Sequence, residues 1–328
     1  PGSGLLNTGR QAVDNRPFQF SEWMSLPPNE WIDEGPPIIA IYGMGLQGWD
    51  ASHSFASDFP EYTETIHTPG VYNVNSPTQI ALYPALSAMI YRNEIKEGKV
   101  IARRNVHVPS LYEGIIGFNE QVKQDWDQKV FSGGTPNEYL AAGKVVIDFT
   151  DEFQETTIEP ISELWDTIKK VVHSNTGQLT WNYAGRGWFT ANTDYSSVFV
   201  GFPENQKMNI GEIEFDSPNE FAVVLLTSLD KEYDLSETSR ALLTAVARAK
   251  NSGMKFNEDK TEIIEVGQAP ILMESVIMNL KMKNRKIREV HILDHVGRHT
   301  GETVTVNSKR FFFDGNQYKT LYYEIIFE

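Results

Sequence analysis

The chain has 328 residues, of which 40% are hydrophobic and 22% are charged, and its formal net charge is −15. A chain of this length can form two domains with ample buried core, and the composition is ordinary for a globular protein. The negative charge argues against nucleic acid and anionic membranes as partners. The chain has no cysteine, which excludes disulfides, thiolate nucleophiles and cysteine-based metal sites. No apolar run reaches the length of about 18 residues that a membrane-spanning helix needs.

Two short apolar runs near the start are predicted to be buried strands, because each lies between turn residues and stops abruptly. The first, residues 16–23, has Glu22 near its end, and the second, residues 37–50, ends with Trp49 and Asp50. A carboxylate at the end of a buried strand is where (β/α)8 barrels place catalytic groups. A tryptophan at the end of the next strand offers a flat apolar face to a sugar ring. The pair therefore indicates carbohydrate chemistry.

The predicted secondary structure changes near residue 99 from a mixture of helices and strands to mostly strands. Before that point, a helix is predicted from Ser76 to about Arg92, opening with an N-cap serine and a proline and interrupted near Pro84. An amphipathic helix is also predicted over Ile158–His173. Many short strands follow, separated by Gly, Asn and Asp, a pattern typical of one or two β-sandwich modules.

Glu22 is the first candidate for a catalytic residue. As a nucleophile it would attack an anomeric carbon, with a second carboxyl group about 5 Å away as acid/base. The alternative is a structural ion pair at the strand end, for instance with Arg16. Trp49 and Asp50 are equally open to two interpretations, since a tryptophan at a strand end often serves packing. His53 could hydrogen-bond a sugar hydroxyl or anchor its loop.

Several blocks of the sequence carry a family resemblance. Pro17-Phe-Gln-Phe-Ser-Glu22 resembles barrel strand seven of the clan A retaining glycoside hydrolases, in which a terminal glutamate is the nucleophile. Tyr42-Gly-Met-Gly-Leu-Gln-Gly-Trp49-Asp50 resembles strand eight, whose tryptophan forms the floor of the subsite for the cleaved sugar. Residues 72–86 resemble the next helix of the large β-galactosidase-like and agarase-like members. The accessory β-domains of those enzymes are resembled by residues 174–182, 226–230 and 239–244.

The resemblance implies a fold in two parts. Residues 1–98 would be the C-terminal part of a (β/α)8 barrel, contributing strands seven and eight. Residues 99–328 would be an antiparallel β-sandwich accessory region, formed as one module or as two modules over 99–173 and 174–328.

The same resemblance implies a reaction, the retaining hydrolysis of a β-linked galactoside or polysaccharide, with agar-type galactans as one class of substrate. Glu22 would form the glycosyl-enzyme ester, and Trp49 and Trp23 would stack on the sugar. Asp50 and His53 would contact its hydroxyl groups. This chemistry requires no cofactor and no metal, and the enzyme is expected to be secreted or periplasmic.

The acid/base residue of these enzymes lies in an Asn-Glu pair at the end of strand four, upstream of strand seven. Asn119-Glu120 is such a pair, but it follows the predicted strand eight, so its use would require a permuted barrel. The resemblance therefore implies a companion polypeptide or a missing N-terminal barrel segment. Two alternatives stay open: a non-catalytic carbohydrate-binding or structural β-sandwich fragment of a larger enzyme, and an unrelated sandwich protein that binds other proteins.

Overall fold

The structure, a computed structural model, describes residues 5–29, 32–55, 64–67, 76–116, 121–125, 128–132 and 134–328. It is mostly β-structure, with 16% helix and largely antiparallel sheets. The pair Asn119-Glu120 and residues 72–75 of the predicted helical block lie outside the described residues.

The strands of the described residues are short, and most are joined to a neighbour in the sequence by a tight turn. They are β1 (Gln19–Trp23), β2 (Ala51–Ser54), β3 (Val100–His107), β4 (Gln121–Asp125), β5 (Gln128–Ser132), β6 (Lys144–Thr150), β7 (Thr157–Ile158), β8 (Trp165–Asp166), β9 (Val171–His173), β10 (Leu179–Asn182), β11 (Trp188–Asn192), β12 (Ser196–Gly201), β13 (Met208–Ile210), β14 (Ile213–Asp216), β15 (Ala222–Ser228), β16 (Arg240–Val246), β17 (Ala249–Ser252), β18 (Lys255–Phe256), β19 (Ile263–Glu265), β20 (Gln268–Met273), β21 (Ile277–Met282), β22 (Ile287–Leu293), β23 (His299–Val304), β24 (Val306–Asn307), β25 (Arg310–Asp314) and β26 (Tyr322–Phe327).

The helices are also short, and none in the described part of the chain is long and apolar enough to cross a membrane. Two are 3-10 helices, Leu6–Gln11 and Ile32–Glu34, and one is a π-helix, Ile38–Leu46. The α-helices are α1 (Gly35–Pro37), α2 (Pro77–Ile80), α3 (Tyr83–Tyr91), α4 (Val108–Leu111), α5 (Glu138–Ala142) and α6 (Gly315–Tyr318). The helix predicted from Ser76 to Arg92 is thus two helices, with Pro84 in the first turn of α3.

The chain forms two compact units, each assembled from three separate segments. The first unit combines Pro1–Trp23, Ile38–His53 and Ile95–Gly187, and the second combines Met24–Pro37, Ser54–Glu94 and Trp188–Glu328. The predicted division between residues 98 and 99 does not coincide with this arrangement, because both units take segments from each side of it.

In the first unit, the π-helix Ile38–Leu46 occupies most of the stretch 37–50 that was predicted to be a buried strand, so that prediction is wrong. The segment is apolar on every side, and Ile38 and Ile41 are fully buried. A short run of this kind cannot be assigned to buried strand or buried helix by periodicity alone. Gln47 lies just after the helix and anchors it to the region of α5. Its amide donates to the carbonyls of Leu140 and Gly143, at 2.7 Å each.

The predicted helix over Ile158–His173 is also wrong, since this stretch forms β7, β8 and β9. The Asp166 carboxylate accepts hydrogen bonds from the backbone N–H groups of Ile168 and Lys169, at 3.1 and 2.9 Å. Lys170 follows with a positive φ of 57°. Side-chain capping of this kind favours a turn over a continuous helix. The 3–4 spacing of apolar residues is therefore outweighed by local turn chemistry.

The second unit is built on two antiparallel sheets, consistent with the predicted β-sandwich. One includes β23-β22-β26-β16-β15-β12-β11 as consecutive neighbours, and the other has the order β13-β14-β21-β25-β24. Apolar residues of both sheets form one buried cluster, among them Phe199, Leu243 and Phe313. Along β21 and β25 buried and exposed residues alternate, because successive side chains of a strand point to opposite faces.

Candidate functional site

The predicted site residues lie on or beside a two-stranded sheet formed by β1 and β2. Two hydrogen bonds join the start of this sheet: the Phe18 N–H donates to the side-chain atom Asp50 Oδ2 at 2.8 Å, and the Asp50 N–H donates to the Phe18 carbonyl at 3.0 Å. One oxygen of the predicted sugar-contacting Asp50 is thus used to hold the two segments together. The structure therefore brings the two sequence blocks of the resemblance side by side.

Glu22 lies on β1 with its side chain exposed. Within the described residues its carboxylate makes no hydrogen bond or ion pair. Arg16, the partner of the structural alternative, instead donates to the carbonyl of Asn15 at 2.8 Å. Glu22 is therefore an accessible carboxylate without an ion-pair partner in the described part of the fold.

Neither predicted stacking tryptophan is accessible. Trp23 and Trp49 are only 5% and 3% exposed, so neither ring presents a face to a sugar. Trp49 packs against the rings of Phe18 and Phe20, with centroid distances of 5.3 and 5.6 Å. The predicted stacking role of both tryptophans is corrected to a packing role, because a strand-end tryptophan between two phenylalanines gains more from burial than from exposure.

Gly43 of the π-helix lies directly under Trp49, and a Cβ atom at this position would clash with the six-membered part of the indole. Alanine is favoured over glycine in a helix by roughly 1 kcal/mol, but overpacking a filled site costs about 1–3 kcal/mol. We expect Gly43→Ala to lower the free energy of unfolding by up to about 2 kcal/mol, measured by urea denaturation.

The control for this prediction is a double-mutant cycle with Trp49→Phe. The smaller ring leaves room for the added methyl group, so the cost of Gly43→Ala should be smaller in the Trp49→Phe background. Additive effects of the two substitutions would contradict the close packing of Gly43 and Trp49.

His53 on β2 makes a contact that the sequence analysis did not anticipate. Its Nε2 atom lies 2.9 Å from the amide nitrogen of Gln19 on β1. The amide donates to this ring nitrogen in the neutral tautomer that carries its proton on Nδ1. Both side chains are exposed at this contact, so Gln19 and His53 form a joined pair of polar groups. Gln19 is three positions from Glu22 on β1, and this odd spacing places the two side chains on opposite faces of the strand.

A second feature that sequence analysis missed is the buried carboxyl of Asp33, in the second unit. The Thr78 hydroxyl donates to Asp33 Oδ1 at 2.5 Å, while Oδ2 has no hydrogen-bond partner among the residues that the structure describes. Burial raises the pKa of Asp33 to about 7, and the Thr78 hydrogen bond and the Arg248 charge oppose this shift only in part. The signal available in the sequence was the pair Asp33-Glu34 directly before an apolar helix.

The described ranges contain no group of three or more His, Cys, Asp or Glu side chains that could hold a metal ion. No protein-family model, curated protein or solved structure matches the chain. The function must therefore be argued from the geometry around Glu22 and from the sequence blocks that carry the resemblance.

Proposed function

We propose that this chain is part of a retaining glycoside hydrolase that acts on a β-linked galactoside or polysaccharide, with Glu22 as the nucleophile. The observation that carries the proposal is the exposed Glu22 carboxylate, which has no ion-pair partner in the described residues, on a strand that pairs with β2. A nucleophilic carboxylate must be ionised and accessible to the anomeric carbon, and both requirements argue against a residue buried in an ion pair.

The order of elements supports the barrel part of the proposal. β1 is followed by the buried π-helix and then by β2, its neighbour in the same sheet. Strand, helix, neighbouring strand is the unit that a (β/α)8 barrel repeats. In this assignment β1 is strand seven, and β2, rather than residues 42–50, is strand eight. Trp49 then precedes strand eight and packs behind it.

The proposed reaction has two steps. In the first, Glu22 attacks the anomeric carbon, the bond to the leaving oxygen breaks, and a glycosyl ester forms at the carboxylate while an acid protonates the leaving group. In the second, the residue that acted as the acid now acts as a base and removes a proton from water. The water oxygen attacks the anomeric carbon and releases Glu22, so the configuration is retained overall.

The acid/base residue is proposed to come from outside this chain. A (β/α)8 barrel has eight strands, whereas in the described residues the neighbouring strands with a helix between the partners in sequence include β1 with β2 and β3 with β6, in separate sheets. No second carboxylate contacts Glu22 in the part of the chain that the structure describes. We therefore propose that a companion polypeptide or an additional barrel segment completes the site.

An activated substrate tests this proposal without the missing acid. A dinitrophenyl leaving group departs without protonation, and fluorine at C2 of the galactosyl ring slows hydrolysis of the ester. We expect 2,4-dinitrophenyl 2-deoxy-2-fluoro-β-galactoside to release one equivalent of phenolate per chain. Peptide mapping should then place the galactosyl group on Glu22.

The matched control is Glu113→Gln, which removes another exposed glutamate of the first unit and should leave the labelling unchanged. Labelling of a carboxylate other than Glu22, or no labelling, would contradict the proposed role. In the latter case the alternative of a non-catalytic carbohydrate-binding fragment would be favoured, since two strands alone do not enclose a preorganised pocket.

A further inference from the structure

The outer face of the five-stranded sheet in the second unit carries a groove of about 570 Å³. Its floor is formed by β14, β21 and β25, whose inward-facing residues belong to the sandwich core. The outward-facing residues stand in two rows across the strands. Asp216, Asn279 and Phe312 are paired in one row, and Glu214, Lys281 and Arg310 in the next.

The first row places an aromatic ring beside a fixed pair of polar groups. The Asn279 amide donates to Asp216 Oδ1 at 3.0 Å, which orients both side chains. Phe312 is 52% exposed, an unusual position for a phenylalanine in the middle of a sheet face. An amide, a carboxylate and an accessible ring therefore lie along one line.

The second row is held by ion pairs. The Glu214 carboxylate lies 2.7 Å from Lys207 Nζ and 3.1 Å from Lys281 Nζ. These two lysines lower the pKa of Glu214 to about 2, so the row stays charged at neutral pH. Arg310 continues it toward β24. The donors and acceptors of this row are thus fixed before a ligand arrives, which reduces the entropy lost on binding.

We propose that this groove binds a chain of neutral sugar residues, with one ring stacked on Phe312 and its hydroxyls bonded to Asp216, Asn279 and Lys281. A pyranose has an apolar face of C–H groups and a rim of hydroxyls that both donate and accept. The groove offers the complement of each: an exposed ring, and charged or amide groups that make strong hydrogen bonds.

A protein partner fits this surface less well. The centres of protein interfaces are depleted of Lys, Asp and Glu, whereas these residues fill much of the groove. The net charge of −15 disfavours nucleic acid as the partner of this surface. All the groove residues belong to the second unit, so the inference does not depend on the role of Glu22 in the first unit.

The test is isothermal titration of the full chain with a hexasaccharide of β-linked galactose. We expect binding by the wild type, a loss of about tenfold or more in affinity for Phe312→Ala, and a similar loss for Phe312→Leu, which keeps apolar volume but removes the flat ring. Asn279→Ala should weaken binding by severalfold. The matched control is Tyr233→Ala, because Tyr233 is also 52% exposed but lies outside the groove.

Three results would overturn the inference. The first is no binding by the wild type to this hexasaccharide. The second is equal affinity of the Phe312 variants and the wild type, with thermal unfolding showing that the variants are folded. The third is tighter binding of a sulfated galactan that is lost in Arg310→Ala, since the ligand class would then be a polyanion rather than a neutral sugar chain.

Discussion

Replacing Glu22 with alanine should reduce the hydrolysis of an aryl β-galactoside by the complete enzyme by at least about 10³-fold. The ester with the sugar cannot form without the carboxylate, and the described residues place no second carboxylate in contact with Glu22 to replace it. The rate of phenolate release measures this effect. Glu22 is exposed, so the substitution should leave the unfolding temperature close to that of the wild type.

Azide distinguishes loss of a nucleophile from loss of binding. In Glu22→Ala the truncated side chain leaves space for a small anion, which can attack the anomeric carbon from the same face. One displacement inverts the configuration, so the product should be α-galactosyl azide, identified by NMR. Glu22→Gln fills that space and should show no rescue. A β-azide, or unchanged turnover in Glu22→Ala, would contradict the assignment of Glu22 as nucleophile.

Asp33→Asn should remove a large pH dependence of stability. The pKa of Asp33 is raised from 3.8 to about 7 in the folded protein, so between these values the folded state holds a proton that the unfolded state has released. Stability therefore falls as the pH rises from about 4 to about 7, and it is constant above that range with respect to this group. The full shift corresponds to about 4 kcal/mol.

The asparagine variant is uncharged at every pH and can still accept the hydrogen bond from Thr78. We expect wild type and Asp33→Asn to have similar free energies of unfolding at pH 4. At pH 8 the variant should be more stable by a few kcal/mol, on the order of the linkage estimate. Urea denaturation across this range measures the difference, with the exposed Asp259→Asn as control. A difference that does not change with pH would show that the carboxyl is ionised or protonated throughout.

The sandwich was the most predictable part of the fold. Strands such as β15 and β16 carry long apolar runs between turn residues, and β21 and β25 alternate between the core and the outer face. These patterns follow directly from strand geometry. They fix which residues face the core, and they do not reveal which residues become cross-strand neighbours.

The errors have a different origin. The run after Pro37 is apolar throughout, so sequence alone could not separate a buried helix from a buried strand. Trp49 ends that run. Its burial depends on Gly43, which lies on the π-helix, and on Phe18, which is distant in the sequence. The helix predicted over Ile158–His173 failed because Asp166 caps a turn.

The candidate site was predicted unevenly for the same reason. Glu22 was selected as a candidate because a strand-end acid is a local signal, and the role proposed for it rests on the resemblance. The contact between Gln19 and His53 joins residues 34 positions apart, and the Asp33–Thr78 contact joins residues 45 apart. The groove of the second unit requires the register of three strands. Each of these features depends on pairing that one sequence does not encode locally.

The interleaving of the two units has a consequence for synthesis on the ribosome. The chain passes from one unit to the other five times, and the second unit needs Trp188–Glu328 to join segments that end at Glu94. At about 5–20 residues per second, the intervening stretch takes roughly 5–20 s to emerge. During that time α2 and α3 have been synthesised, but the strands that cover them have not. We therefore expect folding during translation to depend on chaperones. We also expect that no truncation at a single position yields either unit alone.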